Sequence, residues 1–454
     1  MKLAIAAISL IALSAAAQDT RTVTEPVIPP ACVVLKAQLQ QTGGINGIAF
    51  GDESKPDTAR LQKALDTCAK GKSVELAPDA GNAAFLTGTI EMRPGVTLVV
   101  DKGVTLYGSR IPKDYEREPG SCGINDPKTG CNPLIVGKGA SGSGIMGEGV
   151  IDGRGGAKMI RDGKEEGKTW WDLGDDAKTQ GHQQVPRLII MSDSNDFTLY
   201  KITLKNAPFF HVTYSGGDGF TVWGVKIDTP LRAKNTDGID PGSSKNITIT
   251  HTYIRDGDDN IAIKGGSGPV TSMSVIHNHF YYGHGMSIGS ETQAGVSKVR
   301  VTDLSLDGTD AGIRIKSQEA YGGLVEDVVY DDVCIRNSRN PILLDTAYSA
   351  NPKPGKGLIP VYQDILLRNV RISGGGKISL NGFDHTHRIG VQFDGVVLTD
   401  GPSAYKFLAN HADITFGPGP VNFTMAGDDS TGRGTPGKGT LDGCADKFVP
   451  FPAE

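Results

Sequence analysis

Apolar and polar residues alternate along this chain in short blocks, and the blocks themselves recur. Eight-residue stretches that begin and end on an apolar residue are FTLYKITL (197–204), FTVWGVKI (220–227), ITITHTYI (247–254), MSVIHNHF (273–280), VRVTDLSL (299–306), VVYDDVCI (328–335), ILLRNVRI (365–372) and VQFDGVVL (391–398). Their starts lie 23, 27, 26, 26, 29, 37 and 26 residues apart. Period-two alternation and β-branched enrichment predict strands. Several blocks are followed by a turn and a second short strand: NIAIK (260–264), MSIGS (286–290), GIRIK (312–316) and PILLD (341–345). A repeat of ~25 residues made of two or three short strands is too small to close a sheet alone. It suits one coil of a right-handed parallel β-helix, in which coils stack ~4.8 Å apart. A β-sandwich also yields regular short strands, but hairpin turn signals are sparse here and the period is even. The expected fold is all-β, a single-domain solenoid. Helical periodicity is convincing only from Asp57 to Lys70, where Leu61, Leu65 and Cys68 share a face. This short N-terminal helix is expected to cap the open end of the solenoid and cover strand edges.

Composition supports the repeat. The 454 residues exceed the ~250–300 at which single cores stop growing, yet no Pro/Ser-rich linker divides the chain. Glycine is abundant, 61 residues, and aromatics make up only 6%. Pairs such as Gly216-Gly217, Gly265-Gly266 and Gly322-Gly323 fall between blocks, where left-handed corners are expected. At the N-terminus, Lys2, the apolar run Leu3–Leu13 and Ala15-Ala16-Ala17 read as a signal peptide over 1–17. Residues 18–454 then form one domain of a secreted protein, extracellular or periplasmic. No other segment approaches the ~18 apolar residues of a membrane span. The formal charge of −5 provides no basic field for nucleic acid or an anionic membrane.

Six cysteines fit an oxidising compartment. Cys122 and Cys131 are placed to staple a loop, and Cys32 and Cys68 to close the N-terminal region. Cys334 and Cys444 remain, and Cys334, inside a strand pattern, could equally be a buried thiol. Connectivity cannot be deduced from spacing.

A coil period turns distant residues into neighbours. Asp258 lies four residues after the end of its block and His284 four after the end of the next, 26 residues on. They should stack on adjacent coils. Lys264 and Lys316 each lie ten residues after a block end and share a second row; counting the same way puts Asp237 in it too. Asp237, Asp258, Asp259, His284, Arg314 and Lys316 therefore converge on one face. Clustered carboxylates cannot all ionise freely, so one is held protonated as an acid while another serves as a base. Arg314 and Lys316 alternate with Ile313 and Ile315, point outward, and offer cations to a sugar acid. Any one of these Asp residues alone would be an ordinary corner residue. DGDDN (256–260) also opens like a calcium-binding loop, but Ile261 stands where that loop needs Gly and Ser267 where it needs Glu.

NTDGID (235–240), GDDN (257–260), GHGMSIGSE (283–291) and RIK (314–316), in this order, resemble the polygalacturonases, pectin-cleaving glycoside hydrolases built on a right-handed parallel β-helix. GVIDGRG (149–155), TWWDL (169–173), PRLI (186–189) and PILLDTAY (341–348) are similar as well. The resemblance implies that Asp237 and Asp259 activate water. Asp258 would be the general acid and His284 its support. Arg314 and Lys316 would bind the galacturonate carboxylate beside the scissile bond, and Tyr348 the substrate. It also implies inversion, no metal and no cofactor, and a monomer whose partner is pectin. Asn260 departs from the GDDC of many plant and fungal members; the overall pattern is closest to bacterial endo-acting ones. Exo action, or hydrolysis of rhamnogalacturonan, is the nearest alternative. A pectate lyase or a non-catalytic glycan-binding solenoid is more distant. Gly238, Gly257, Gly283 and Gly285, beside the acids, are expected to leave the cleft floor open to a sugar chain.

Overall fold

The computed structural model describes residues 19–126, 130–180, 182–349 and 357–453. The expected signal peptide at 1–17 lies outside the described residues. The second short strand of each coil falls in one eleven-stranded sheet. Its strands are β1 (Ile90–Glu91), β2 (Ile135–Lys138), β3 (Ile189–Ser192), β4 (Val212–Ser215), β5 (Ile239–Gly242), β6 (Ile261–Ile263), β7 (Met286–Ile288), β8 (Ala311–Lys316), β9 (Asn340–Asp345), β10 (Gly376–Asn381) and β11 (Tyr405–Asn410). Neighbours are parallel and in register, so Ile189, Val212, Ile239, Ile261, Met286, Ile313, Ile342 and Ile378 form one row across the coils.

The eight-residue blocks build the remaining walls. Early blocks are two strands joined at a corner, such as Asp218–Trp223 and Lys226–Asp228. Later ones run through as bent strands, Val270–Phe280, Val296–Asp307 and Leu324–Arg336. Coil-to-coil pairing is parallel here too, which excludes the sandwich; the chain is a right-handed parallel β-helix. The aligned aliphatic row just named is fully buried. Phe197 and Phe220 stack in the same way one coil apart, with ring centres 5.7 Å apart.

Glycine does the expected job at some turns, Gly216 being left-handed at φ 73°, and another job elsewhere. The corner row Lys201, Gly224, His251, His277, Asp303, Asp332, Asn369 and Gly395 is left-handed throughout, with φ between 52° and 82°, yet holds only two glycines. Asn, Asp and His tolerate this region better than most side chains. Gly265 and Gly323 instead sit where a Cβ would lie 2.5 Å from the Gly295 carbonyl and 2.0 Å from that of Thr292. At such positions glycine lets successive coils approach.

Helix α1 (Thr58–Thr67) packs Leu61, Ala64 and Leu65 on the N-terminal coils. A second helix, α2 (Trp170–Gln180), was not expected, because its apolar residues cluster at its start rather than recurring. Its signal is a capping box: Thr169 Oγ1 accepts from the Asp172 amide and Asp172 Oδ2 from the Thr169 amide. Cysteine pairing is Cys32–Cys68, Cys122–Cys131 and Cys334–Cys444, so Cys334 is not a thiol.

Candidate active site

The acids enter at the N-terminal ends of β5 to β7. Ile239, Ile261 and Met286 are in register, so the residues two places earlier, Asp237, Asp259 and His284, line up across three coils. Arg187 and Phe210, two places before Ile189 and Val212, extend that row towards the N-terminal coils. Asp237 therefore shares a row with Asp259, not with Lys264 and Lys316 as counting suggested. The segment before it folds into extra turns, with the Ala233 amide bonded to Pro230 O and Thr236 Oγ1 to Ala233 O. That turn shifts the count.

Asp258 and His284 do meet. His284 Nδ1 lies 3.0 Å from Asp258 Oδ1, and the His284 amide donates to the Asp258 carbonyl. Burial would depress the imidazole pKa, but its bond to Asp258 and the field of Asp258 and Asp259 outweigh burial and raise it. Asp259 is buried among cations: Arg314 Nη1 is 2.9 Å from Oδ1, Lys316 Nζ 2.7 Å from Oδ2, and Ser287 Oγ donates to Oδ1. Burial alone would raise the Asp259 pKa; Lys316 and Arg314 reverse this and hold it well below the usual carboxylate range. Asp237 is the opposite case. It is buried, its Oδ1 has no hydrogen-bond partner, and burial with Asp240 and Asp258 nearby pushes its pKa far up. The cluster thus holds Asp259 ionised, while burial pushes up the pKa of Asp237 and likewise of Asp240 and Asp256.

Arg314 and Lys316 occupy the outward positions of β8, as the alternation predicts, and are only 7% and 5% exposed. Asp259 and the ring of Tyr348 cover them; the ring centre is 5.3 Å from Arg314 Cζ and 5.0 Å from Lys316 Nζ. Tyr348 itself is exposed. Arg314 Nε is buried with no partner among the described residues.

Three supporting groups went unread in the sequence. His211 is fully buried: its amide and Nδ1 both contact the Asp237 carbonyl, and Nε2 contacts Thr229 Oγ1. Burial pushes its pKa down to about 4, so it is neutral near pH 7. Asp256 accepts from the Asp258 amide and the Asn260 side chain. Asn260 in turn accepts from the Gly285 amide and donates to Tyr282 O, tying the Asp258 coil to the His284 coil. Asp240 lies buried on β5. Its signal was present, as the second acid of NTDGID at an outward strand position.

The glycines of the motifs do not hold the cleft open. A Cβ at Gly257 would lie 1.8 Å from Ala233 O, and one at Gly285 2.0 Å from Ala311 O. They face the adjacent coil and let the acid-bearing turns stack. Oxygens of Asp258 and Asp259 and a ring nitrogen of His284 lie within 4.8 Å of one another. That spacing resembles a metal cluster, but Arg314 and Lys316 already neutralise Asp259.

Residues 79–415 match the profile described as Glycosyl hydrolases family 28. The polygalacturonase of Ralstonia solanacearum is 38% identical, spanning 98% of this chain and 97% of that protein. The endo-polygalacturonase of Pectobacterium carotovorum subsp. carotovorum is 43% identical over 88% of this chain and 94% of its own length. The solved polygalacturonase of Erwinia carotovora ssp. carotovora superposes with a TM-score of 0.79 at 40% identity, covering 87% of this chain and 99% of that one.

Proposed function

The chain belongs to glycosyl hydrolase family 28 and is a glycoside hydrolase acting on polygalacturonate; we propose that it cuts α-1,4 galacturonosidic links inside the chain, with inversion. The endo-acting Pectobacterium relative supports internal cleavage. The observation that carries the mechanism is the contrast between two neighbouring acids: Arg314 and Lys316 clamp Asp259 and hold its pKa down, while Asp237 is buried with an unpartnered Oδ1 and its pKa is pushed up. Water held between them loses a proton to Asp259 while Asp237 orients it, and its oxygen attacks the anomeric carbon. The glycosidic C–O bond breaks, and the leaving oxygen takes a proton from Asp258. Asp258 is suited to this because its side chain reaches solvent, at 19% exposure, where Asp237 does not. Arg314 and Lys316 hold the neighbouring carboxylate with the donors Asp259 leaves free, and Tyr348 walls that position.

The test is digestion of polygalacturonate. Reducing ends should appear without the ultraviolet absorbance of unsaturated uronides, long oligomers should precede short ones, and proton NMR should show inverted product first. Ultraviolet absorbance would make the enzyme a lyase; early retention would remove the water-activating role of Asp237 and Asp259.

The dyad of Asp258 and His284 sets the alkaline limit. Because the His284 pKa lies above the ordinary imidazole value, kcat/KM should persist through ~6.5 and fall at higher pH as the dyad loses its proton. Depression of Asp259 keeps the base ionised well into acid. His284→Asn should move the alkaline limb downward in a pH–rate profile; an unmoved limb would separate His284 from the acid.

Three disulfides support an oxidising compartment, and with it secretion. One hydrophobic cluster extends from Ala37 to Phe423, which supports a single catalytic domain over 18–454.

A further inference from the structure

We propose that Arg187, with Arg117 beside it, forms a second carboxylate-binding site in the cleft, taking a uronate on the side of the scissile bond opposite to the one held by Arg314 and Lys316. This rests on the reading of the cleft as a polygalacturonate site.

Position comes first. Arg187 lies in the row of Asp237, Asp259 and His284, two coils from Asp237 on the N-terminal side. At ~4.8 Å per coil that is about 10 Å of backbone. Arg314 and Lys316 come from β8, three coils beyond Asp237 on the C-terminal side. The acids therefore sit between two cationic stations along the axis. A polyanion lying across the coils would meet a cation on either side of the reacting bond.

The state of the side chain comes second. Arg187 is half-buried, and its guanidinium stacks 4.6 Å from the centre of the Phe210 ring and 5.6 Å from that of Phe209. The two rings stack on each other at 4.4 Å. Stacking fixes the plane of the fork and leaves its edge donors free. Among the described residues one long contact uses them, Nη1 to Thr213 Oγ1 at 3.4 Å. No described carboxylate forms an ion pair with it. A guanidinium that is oriented, partly desolvated and unspent is prepared for bidentate binding of a carboxylate.

Arg187 is not there as the counter-ion of the acids. Asp237 and Asp240 are close enough to act on it, yet their own pKa values are raised and neither pairs with it. Arg117 sharpens the point. It too lacks an ion pair with any described carboxylate, and it lies near enough to Arg187 for the two charges to repel. Arg117 precedes the loop closed by Cys122–Cys131 and follows Glu116, which bridges to Cys131. An oriented cation without an ion pair among the described residues fits a ligand that brings a carboxylate.

The test is Arg187→Gln, Arg187→Lys and Arg117→Gln, assayed on polygalacturonate and on end-labelled galacturonate hexamer. R187Q should raise KM by roughly 10- to 100-fold, the loss of a charge-assisted bidentate contact, with kcat within about threefold. It should also shift which bond of the hexamer is cut. R187K, which keeps the charge and not the fork, should fall between R187Q and wild type, and R117Q should raise KM less than R187Q. A fall in kcat at unchanged KM and unchanged bond choice would mark Arg187 as a structural support and overturn the proposal. So would R187Q behaving as wild type. If the wild-type enzyme itself releases no reducing ends from polygalacturonate, the parent reading fails; an unaltered R187Q on a substrate the wild type cuts fails this inference alone.

Discussion

Asp258→Asn is expected to lower kcat on polygalacturonate by about 10²–10⁴-fold and to leave KM within about threefold. The amide has the shape of the acid but no proton to give, so the leaving oxygen departs as an unstabilised anion. Binding should survive, because the cations that hold the uronates lie elsewhere. Folding should survive too. Asp258 is partly exposed, and its Oδ1 accepts from the Asp259 amide and faces His284 Nδ1, contacts an Asn oxygen can keep. Thermal denaturation should therefore be near wild type while turnover is lost. Retention of more than about a tenth of kcat would move the proton donor elsewhere. Asp237 would then be the next candidate, since burial keeps it protonated.

Much of the architecture was legible because a solenoid writes its period directly into the sequence. Blocks about one coil apart had to stack, so the meeting of Asp258 and His284 could be counted out without any structure. Counting failed where the chain departs from the period. The extra turn at Pro230–Thr236 moved Asp237 into another row. Helix α2 was missed because its signal is the Thr169–Asp172 cap, not a periodic apolar face. The chemistry was legible as residue types and illegible as protonation states. NTDGID and GDDN show acids, but nothing in them says that Asp237 is sealed from solvent while Asp259 is clamped by two cations from 55 and 57 residues away. Alternation in GIRIK correctly put Arg314 and Lys316 outside the core; it could not show that Asp259 and Tyr348 would cover them. The motif glycines were misread for the same reason. Sequence shows that a side chain is missing, not which neighbour occupies its place.

Asp259→Asn should cost both catalysis and folding stability, and the two can be separated. The substitution removes the base and leaves Arg314 and Lys316, 8% and 7% exposed at their side chains, without the carboxylate that neutralises them. Breaking a buried ion pair from one side costs about 3–5 kcal/mol, because the remaining charge stays buried. The pH dependence of this term has a definite sign. Asp259 has a depressed pKa when folded, so its stabilisation is fully present above the unfolded carboxylate value of ~3.9 and is lost only as pH falls through the lower folded value. Denaturant unfolding near neutral pH should therefore show the full deficit for D259N, and the gap to wild type should narrow in strong acid. Asp237→Asn should behave differently: its carboxyl is already neutral, so the amide replaces like with like and stability should hardly change while turnover falls. D259N/K316M supplies the control. Removing one of the stranded cations should restore much of the stability, since a buried ion pair and an apolar pair of similar volume are often equivalent, yet activity should stay lost with the base gone. If D259N is as stable as wild type at neutral pH, Asp259 does not carry the charge that the two cations require, and the ionised base on which the mechanism rests is lost with it.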